Sequence, residues 1–188
     1  MRLVLLAIAL VLVQSPPASL TLEIRVFAGT ADVTDEARVT VHRAGERGQP
    51  VGQVPAIEPR VIFQVPPGLY DVQAVRERDG RVVSIRWAER LVVMAYPDER
   101  GHHLEVINLL PGYGALQVRS TSGLPETELT LFGSGKRAHP ARAAAGAGYK
   151  LFVVPAGQYD IRISRGSHST WQKGIEVPLD RTRLWIIP

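Results

Sequence analysis

The chain has 188 residues, 45% of them apolar, 21% charged, with a formal charge of +4 at pH 7, which supplies enough apolar material for a core and too much for a disordered chain. It contains no cysteine, which excludes a disulfide framework, a thiolate metal site and a lipid-anchored cysteine. The basic excess is thin, rests on arginine rather than on the three lysines Lys136, Lys150 and Lys173, and is scattered, so nucleic acid is not an expected partner.

Met1 and Arg2 are followed by an unbroken apolar run from Leu3 to Val13 and then by the small and proline residues Ser15, Pro16, Pro17, Ala18 and Ser19. That is a signal-peptide pattern over residues 1–19, too short to span a bilayer comfortably, and it places the mature chain in the periplasm or outside the cell. No second stretch approaches spanning length, so no integral membrane segment is expected once the leader is removed.

Leu22 to Val26 alternates strictly between apolar and polar residues, as a half-buried strand does. Asp32, Asp35 and Glu36 crowd the next loop, but their spacing fits no calcium loop and reads as an acidic turn. Val39 to His42 alternates again. Asp79-Gly80 then separates Tyr70–Val75 from Val82–Trp87, the chemistry of a tight hairpin. The segment from Pro97 to His103 reads as a polar loop entering a strand. His102 and His103 with Glu105 are not expected to bind zinc, because adjacent strand residues point to opposite faces. Pro111, Gly112 and Gly114 punctuate the chain before the next alternating run, Leu116 to Arg119.

Leu129 to Phe132 is a further strand. Gly133 to Arg137 has part of a phosphate-loop pattern, but Thr130 stands where the first glycine belongs and no serine or threonine follows Lys136. The basic stretch of Lys136, Arg137, His139 and Arg142 is instead a candidate contact for acidic glycans or phospholipid head groups. Ala141 to Ala147 is alanine-rich, but Gly146 and Gly148 break it, which predicts a loop rather than a helix. Arg165-Gly166-Ser167 is a second hairpin turn, and Leu184 to Ile187 a last strand.

The main feature is a repeat. Phe63 to Val72, with Pro67-Gly68-Leu69-Tyr70-Asp71 at its centre, recurs 89 positions later as Phe152 to Ile161, with Ala156-Gly157-Gln158-Tyr159-Asp160. Leu22–Val26 corresponds to Leu116–Arg119, Trp87 to Trp171, and Leu104–Ile107 to Leu184–Ile187. Proline ends one strand, glycine turns the chain and the next strand starts at once. The tyrosine ring is expected to be buried with its hydroxyl on the backbone of the turn, as in the tyrosine corner of Greek-key sandwiches. The reading is all-β: two tandem transthyretin-like or Ig-like antiparallel sandwiches, residues 20–110 and 114–188, after the signal peptide.

The Phe-x-Val-Pro-Pro-Gly-Leu-Tyr-Asp-Val element, its second copy, and the upstream Ala37 to Arg43 segment resemble the PEGA domain and carboxypeptidase regulatory-like domains, which are transthyretin-like sandwiches. The resemblance covers nearly all of the mature chain. It implies an accessory binding, spacing or scaffolding role at the cell envelope, with no activity of its own. Such modules usually sit beside a peptidase, transporter or surface domain, so the partner expected here is another molecule, an envelope protein or a cell-wall glycan.

No nucleophile elbow or paired carboxylates in an acid–base setting occur, so the chain is not read as an enzyme, and no cofactor is expected. Trp87 and Trp171, at equivalent places in the repeat, are expected to pack in each core. Trp185, without an aromatic counterpart, is expected to be exposed and joins the basic stretch as a candidate partner or glycan contact. Self-association through sheet edges is the remaining structural option.

Overall fold

The structure is a computed structural model that describes residues 19–94, 102–121, 123–124, 127–135, 141, 143–146 and 148–188. The leader and the basic residues Lys136, Arg137, His139 and Arg142 therefore lie outside the described residues. Eight strands form the first half: β1 (Leu20–Ala28), β2 (Ala31–Asp32), β3 (Ala37–Arg43), β4 (Pro50–Val54), β5 (Val61–Val65), β6 (Gly68–Arg78), β7 (Arg81–Val93) and β8 (His102–Asn108). Seven form the second: β9 (Tyr113–Ser120), β10 (Thr127–Gly133), β11 (Ala144–Gly146), β12 (Tyr149–Pro155), β13 (Gly157–Arg165), β14 (His168–Val177) and β15 (Thr182–Ile187).

In sheet A, β1 lies between β5 and β8 and carries β2 at one end; sheet B has the order β4-β3-β6-β7. Sheet C has the order β11-β12-β9-β15 and sheet D the order β10-β13-β14. Leu22 stands opposite Phe63 and Leu116 opposite Phe152; Gln73 stands opposite Trp87 and Arg162 opposite Trp171. The two halves thus share one pairing scheme. Two pairings depart from the antiparallel expectation, since β8 runs parallel to β1 and β15 parallel to β9. The last strand of each half leaves the sheet of its predecessor, crosses to the other layer and comes alongside the first strand in the same direction. The alanine-rich segment also differs from the expected loop: Ala144–Gly146 pairs with β12 as a short edge strand.

The hairpins follow their local chemistry. Asp79 and Gly80 both take positive φ, 54° and 72°, which matches the twist of the strands they join. At the repeated corner, the Tyr70 hydroxyl donates to the Pro66 carbonyl at 2.7 Å and the Tyr159 hydroxyl to the Pro155 carbonyl at 2.6 Å. The aspartate that follows each tyrosine secures a bulge. Asp71 Oδ1 accepts from the Arg90 amide at 2.8 Å and Oδ2 from the Gly45 amide at 3.2 Å, with the Arg47 guanidinium nearby at 3.4 Å. Asp160 accepts from the Gly174 amide at 3.1 Å. Arg90 and Gly174 both have positive φ where β7 and β14 slip register against β6 and β13. The carboxylate therefore holds down an amide that the bulge removes from the ladder.

Three apolar clusters stack these sheets. Leu22, Ile24, Val26, Val39, Val41, Phe63, Tyr70 and Val72 fill the space between sheets A and B. Leu116, Val118, Leu131, Phe152, Val154 and Ile161 do the same between C and D. Phe27, Leu104 and Val106 of sheet A meet Ala115, Tyr149, Leu151 and Val153 of sheet C. Because neighbouring strand residues face opposite ways, sheets A and C are buried on both faces, and the layers run B, A, C, D. Burial of each larger side chain in this third cluster contributes about 1.5–3 kcal/mol, so the junction is a packed layer of the molecule.

A polar network crosses the same junction. Glu23, 3% exposed, accepts from the Tyr149 hydroxyl at 2.9 Å and meets His102 Nε2 at 2.9 Å. Arg119 donates to His102 Nδ1 at 2.7 Å, which makes Nε2 the N–H that donates to Glu23. Burial pushes the Glu23 carboxyl up, but the hydrogen bonds from His102 and Tyr149 and the charge of Arg60 outweigh it and hold the group below its ordinary value. Burial beside that carboxylate pushes Tyr149 up to about 12.

Candidate binding cleft

Strand β14 is where the two halves diverge. Trp171 points away from the core and pairs with Phe132 at 5.3 Å on the outer face of sheet D, so its neighbours Thr170 and Gln172 face inward. At the place of Gln172 the first half has Ala88: Ala88 stands opposite Val72 and Gln172 opposite Ile161. Ala88 is buried and Gln172 exposed. Polar side chains at inward positions do not close the space between sheets C and D, and a cleft of about 400 Å³ opens between β13, β14 and β15.

Ile163, Trp185 and Ile187 form its apolar floor, and Arg165, His168, Thr170 and Gln172 its polar rim. Arg165 Nε donates to Thr127 Oγ1 and Nη2 to the Pro188 carbonyl, both at 3.1 Å, which fixes the guanidinium at the mouth. Among the described residues no aspartate or glutamate side chain pairs with Arg165 or His168. The rim is therefore polar with one arginine, and the floor aromatic and aliphatic.

The tryptophans stand otherwise than expected. Trp185 is half-buried and packs against the core of the second half, while Trp171 is 38% exposed. Trp87 lies on the outer face of sheet B, half-buried, with the Arg47 guanidinium 4.3 Å from its ring centroid and His42 at 5.6 Å. The register explains this: Trp87 stands opposite Gln73, between the core residues Val72 and Ala74. Of the residues read from sequence as candidate contacts, Trp185 lies in the cleft and the four basic ones fall outside the described residues. Arg165, His168, Thr170 and Gln172 were not singled out from the sequence. For His168, Thr170 and Gln172 the signal was there, as polar residues at every second position of a strand whose other positions face outward, and Arg165 continues the inward face of Ile161 and Ile163 on β13.

The equivalent place in the first half is covered. Arg86 stands opposite Ala74 as Thr170 stands opposite Ile163, and Glu105 stands opposite Ile24 as Trp185 stands opposite Val118. Across Arg86, Glu105 and Val106 lies the segment that leads into β15. Asp180 pairs with Arg86 at 2.6 Å, and Arg181 donates to the Glu89 carbonyl at 2.8 Å. The Thr182 amide donates to Glu105 at 3.1 Å, and its hydroxyl accepts from the Val106 amide at 2.8 Å. Glu105 is half-buried as a residue, but its carboxyl group is enclosed there; burial pushes it up to about 8, against the opposing charge of Arg181 and the Thr182 hydrogen bonds.

The other titratable clusters read from the sequence are spoken for. His102 serves Glu23, and His103 bonds the Met94 backbone on the other face. Asp32 pairs with Arg25 and accepts from Thr34, and Glu36 pairs with Arg76. Among the described residues no group of three or more histidine, cysteine or acidic side chains is placed to hold a metal ion. No helix among them is long and apolar enough to cross a membrane.

No protein-family model matches the chain, and no curated protein does. Among solved structures it is similar to the TIE protein of Bacillus anthracis, with 16% identity and a TM-score of 0.32 over 89% of this chain and 33% of that one. The chain thus spans a third of that protein's length. It is also similar to the tip fimbrial protein Mfa3 from Porphyromonas gingivalis (10% identity, TM-score 0.33, covering 90% of this chain and 94% of that one). A third is GBS52, the minor pilin of Streptococcus agalactiae, at 11% identity and a TM-score of 0.30, covering 90% and 94%. At this distance a likeness carries no functional argument, and the fold rests on the strand pairing itself.

Proposed function

We propose that this chain is a non-catalytic, exported binding or scaffolding protein of the cell envelope, acting in the periplasm or outside the cell. Its two modules, 20–110 and 114–188 behind a leader, are of the kind found in PEGA and carboxypeptidase regulatory-like domains, and it holds its partner in the cleft above Trp185. One observation carries this reading. Of two equivalent clefts, the first is covered by the chain's own Asp180–Thr182, while the second is open among the described residues, with an arginine on its polar rim and an apolar floor. Buried apolar area together with a few convergent polar groups is the usual make-up of a recognition site. The basic residues Lys136, Arg137, His139 and Arg142 are assigned as an additional contact, and no cofactor is required.

The test is a photo-crosslinking side chain introduced in living cells at Thr170, with a second at Ile57, which is 74% exposed and remote from the cleft. The expected result is an adduct with an envelope component from Thr170 that Ile57 does not give. Equal or absent crosslinking from the two positions overturns the reading.

A further inference from the structure

We propose that the cleft between β14 and β15 is a docking groove for an extended acidic segment of a partner protein, laid across the β15 edge as the chain's own Asp180–Thr182 is laid across β8. The proposal rests on the cleft being the binding site and adds what kind of ligand it takes.

The template is intramolecular. Arg86, Glu105 and Val106 hold the 180–182 segment, and the register makes Thr170, Trp185 and Ile186 their counterparts; all three line the cleft. Val106 offers its amide outward from the edge of sheet A and receives the Thr182 hydroxyl. Ile186 stands at the same place in β15, which among the described residues has a sheet neighbour, β9, on one side only. A strand edge with outward backbone groups recruits extended chain, and pockets for alternate side chains then give selectivity.

The substitutions between the two clefts define the chemistry. Where the first has the acidic Glu105, the second has Trp185, so an apolar side chain of the ligand replaces the threonine hook. Arg165, at the mouth of the second cleft, has no aspartate or glutamate partner among the described residues, so the complement it takes is an acidic side chain. The volume, about 400 Å³, lies inside the usual range for ligand pockets, roughly 300–1,000 Å³. An extended segment alternating acidic and apolar residues meets both demands, because its side chains fall alternately toward the rim and the floor.

The experiment uses the full mature chain and fluorescein-labelled ten-residue peptides that alternate aspartate with leucine, read by fluorescence polarisation. Controls are the same peptide with lysine for aspartate, and labelled oligogalacturonate as an anionic glycan. Saturable binding of the aspartate peptide at least tenfold tighter than the lysine peptide is expected. Thr170→Trp, which fills the groove from an exposed position, weakens it about tenfold, and His168→Glu weakens it several-fold. No saturable binding of the aspartate peptide, or binding that Thr170→Trp leaves unchanged, overturns the proposal. If oligogalacturonate binds in the cleft and the peptide does not, the peptide proposal falls while the binding-cleft reading stands. If neither binds and crosslinking from Thr170 also fails, both fall.

Discussion

In the first sandwich the side between β7 and β8 lies under Asp180, Arg181 and Thr182, so Arg86 is half-buried and Ala88 and Val106 are buried. In the second sandwich the same side, between β14 and β15, carries exposed Thr170 and Gln172 over a half-buried Trp185. The repeated corner shows the same gradient: Tyr70 and Asp71 are buried, Tyr159 and Asp160 half-buried. Two copies of one pairing scheme therefore differ in what surrounds them. In the first copy that side is used up by the segment leading into β15, and in the second it stays open among the described residues.

The comparison breaks most visibly at the corner aspartates. Asp71→Ala strips the Arg90 and Gly45 amides of a buried charged acceptor and is expected to cost about 3 kcal/mol. Asp160→Ala, at a half-buried site where water replaces the carboxylate, should cost about 1 kcal/mol. Denaturant unfolding followed by fluorescence checks both, with Trp87 reporting on the first sandwich and Trp171 and Trp185 on the second. Equal costs would show that burial does not separate the two corners. Asp71 also has a pH signature. Burial pushes its carboxyl up, but the Arg90 and Gly45 amides and Arg47 more than offset this and hold it below the ordinary carboxylate value. A depressed native value means that its stabilisation is complete above the unfolded-state value and is lost as pH falls through the folded one. The wild type therefore loses stability in acid more steeply than Asp71→Ala.

The covered cleft gives a smaller effect of opposite sign. Glu105, raised to about 8, binds a proton more tightly in the folded than in the unfolded chain. Between the ordinary carboxylate range and about pH 8 the folded state thus holds the extra proton, and stability declines as pH rises through that window. Glu105→Gln should flatten the decline, by about 1 kcal/mol across the window once partial exposure is allowed for. Thermal unfolding of the two proteins at a series of pH values measures it; parallel profiles would remove Glu105 from the account.

The smallest effect belongs to Arg86 and Asp180, which are 31% and 42% exposed as side chains. A double-mutant cycle with Arg86→Ala and Asp180→Ala should give a coupling of about 0.5 kcal/mol that fades with added salt. A coupling of several kcal/mol would mean that this ion pair, rather than the Thr182 hydrogen bonds and the apolar layer, closes the first cleft.

Much of the fold was legible because the signals are local. Asp79-Gly80 makes its hairpin, the Pro-x-Gly-x-Tyr element makes its corner, and the alternating runs became strands. What was misread depends on the far side of a strand. Leu22-Glu23-Ile24-Arg25-Val26 alternates like a strand with one wet face, yet Glu23 is 3% exposed because sheet C covers that face. The tryptophans were assigned by equivalence alone, whereas the parity of their partner strands turns Trp87 and Trp171 outward and Trp185 inward. The four basic residues proposed as contacts fall outside the described residues, and Trp185 enters the cleft with neighbours that were not anticipated.

The sequence by itself determined an all-β chain with turns at stated places and two copies of one corner, since strand periodicity and turn chemistry act over a few residues. Only the tertiary structure decided that the last strand of each half runs parallel to the first, that sheets A and C share a third apolar layer, and that one cleft is covered while its twin is open. Those outcomes depend on which faces meet between residues far apart in the chain. No local pattern encodes that, because a polar residue reads the same whether water or another sheet lies across from it.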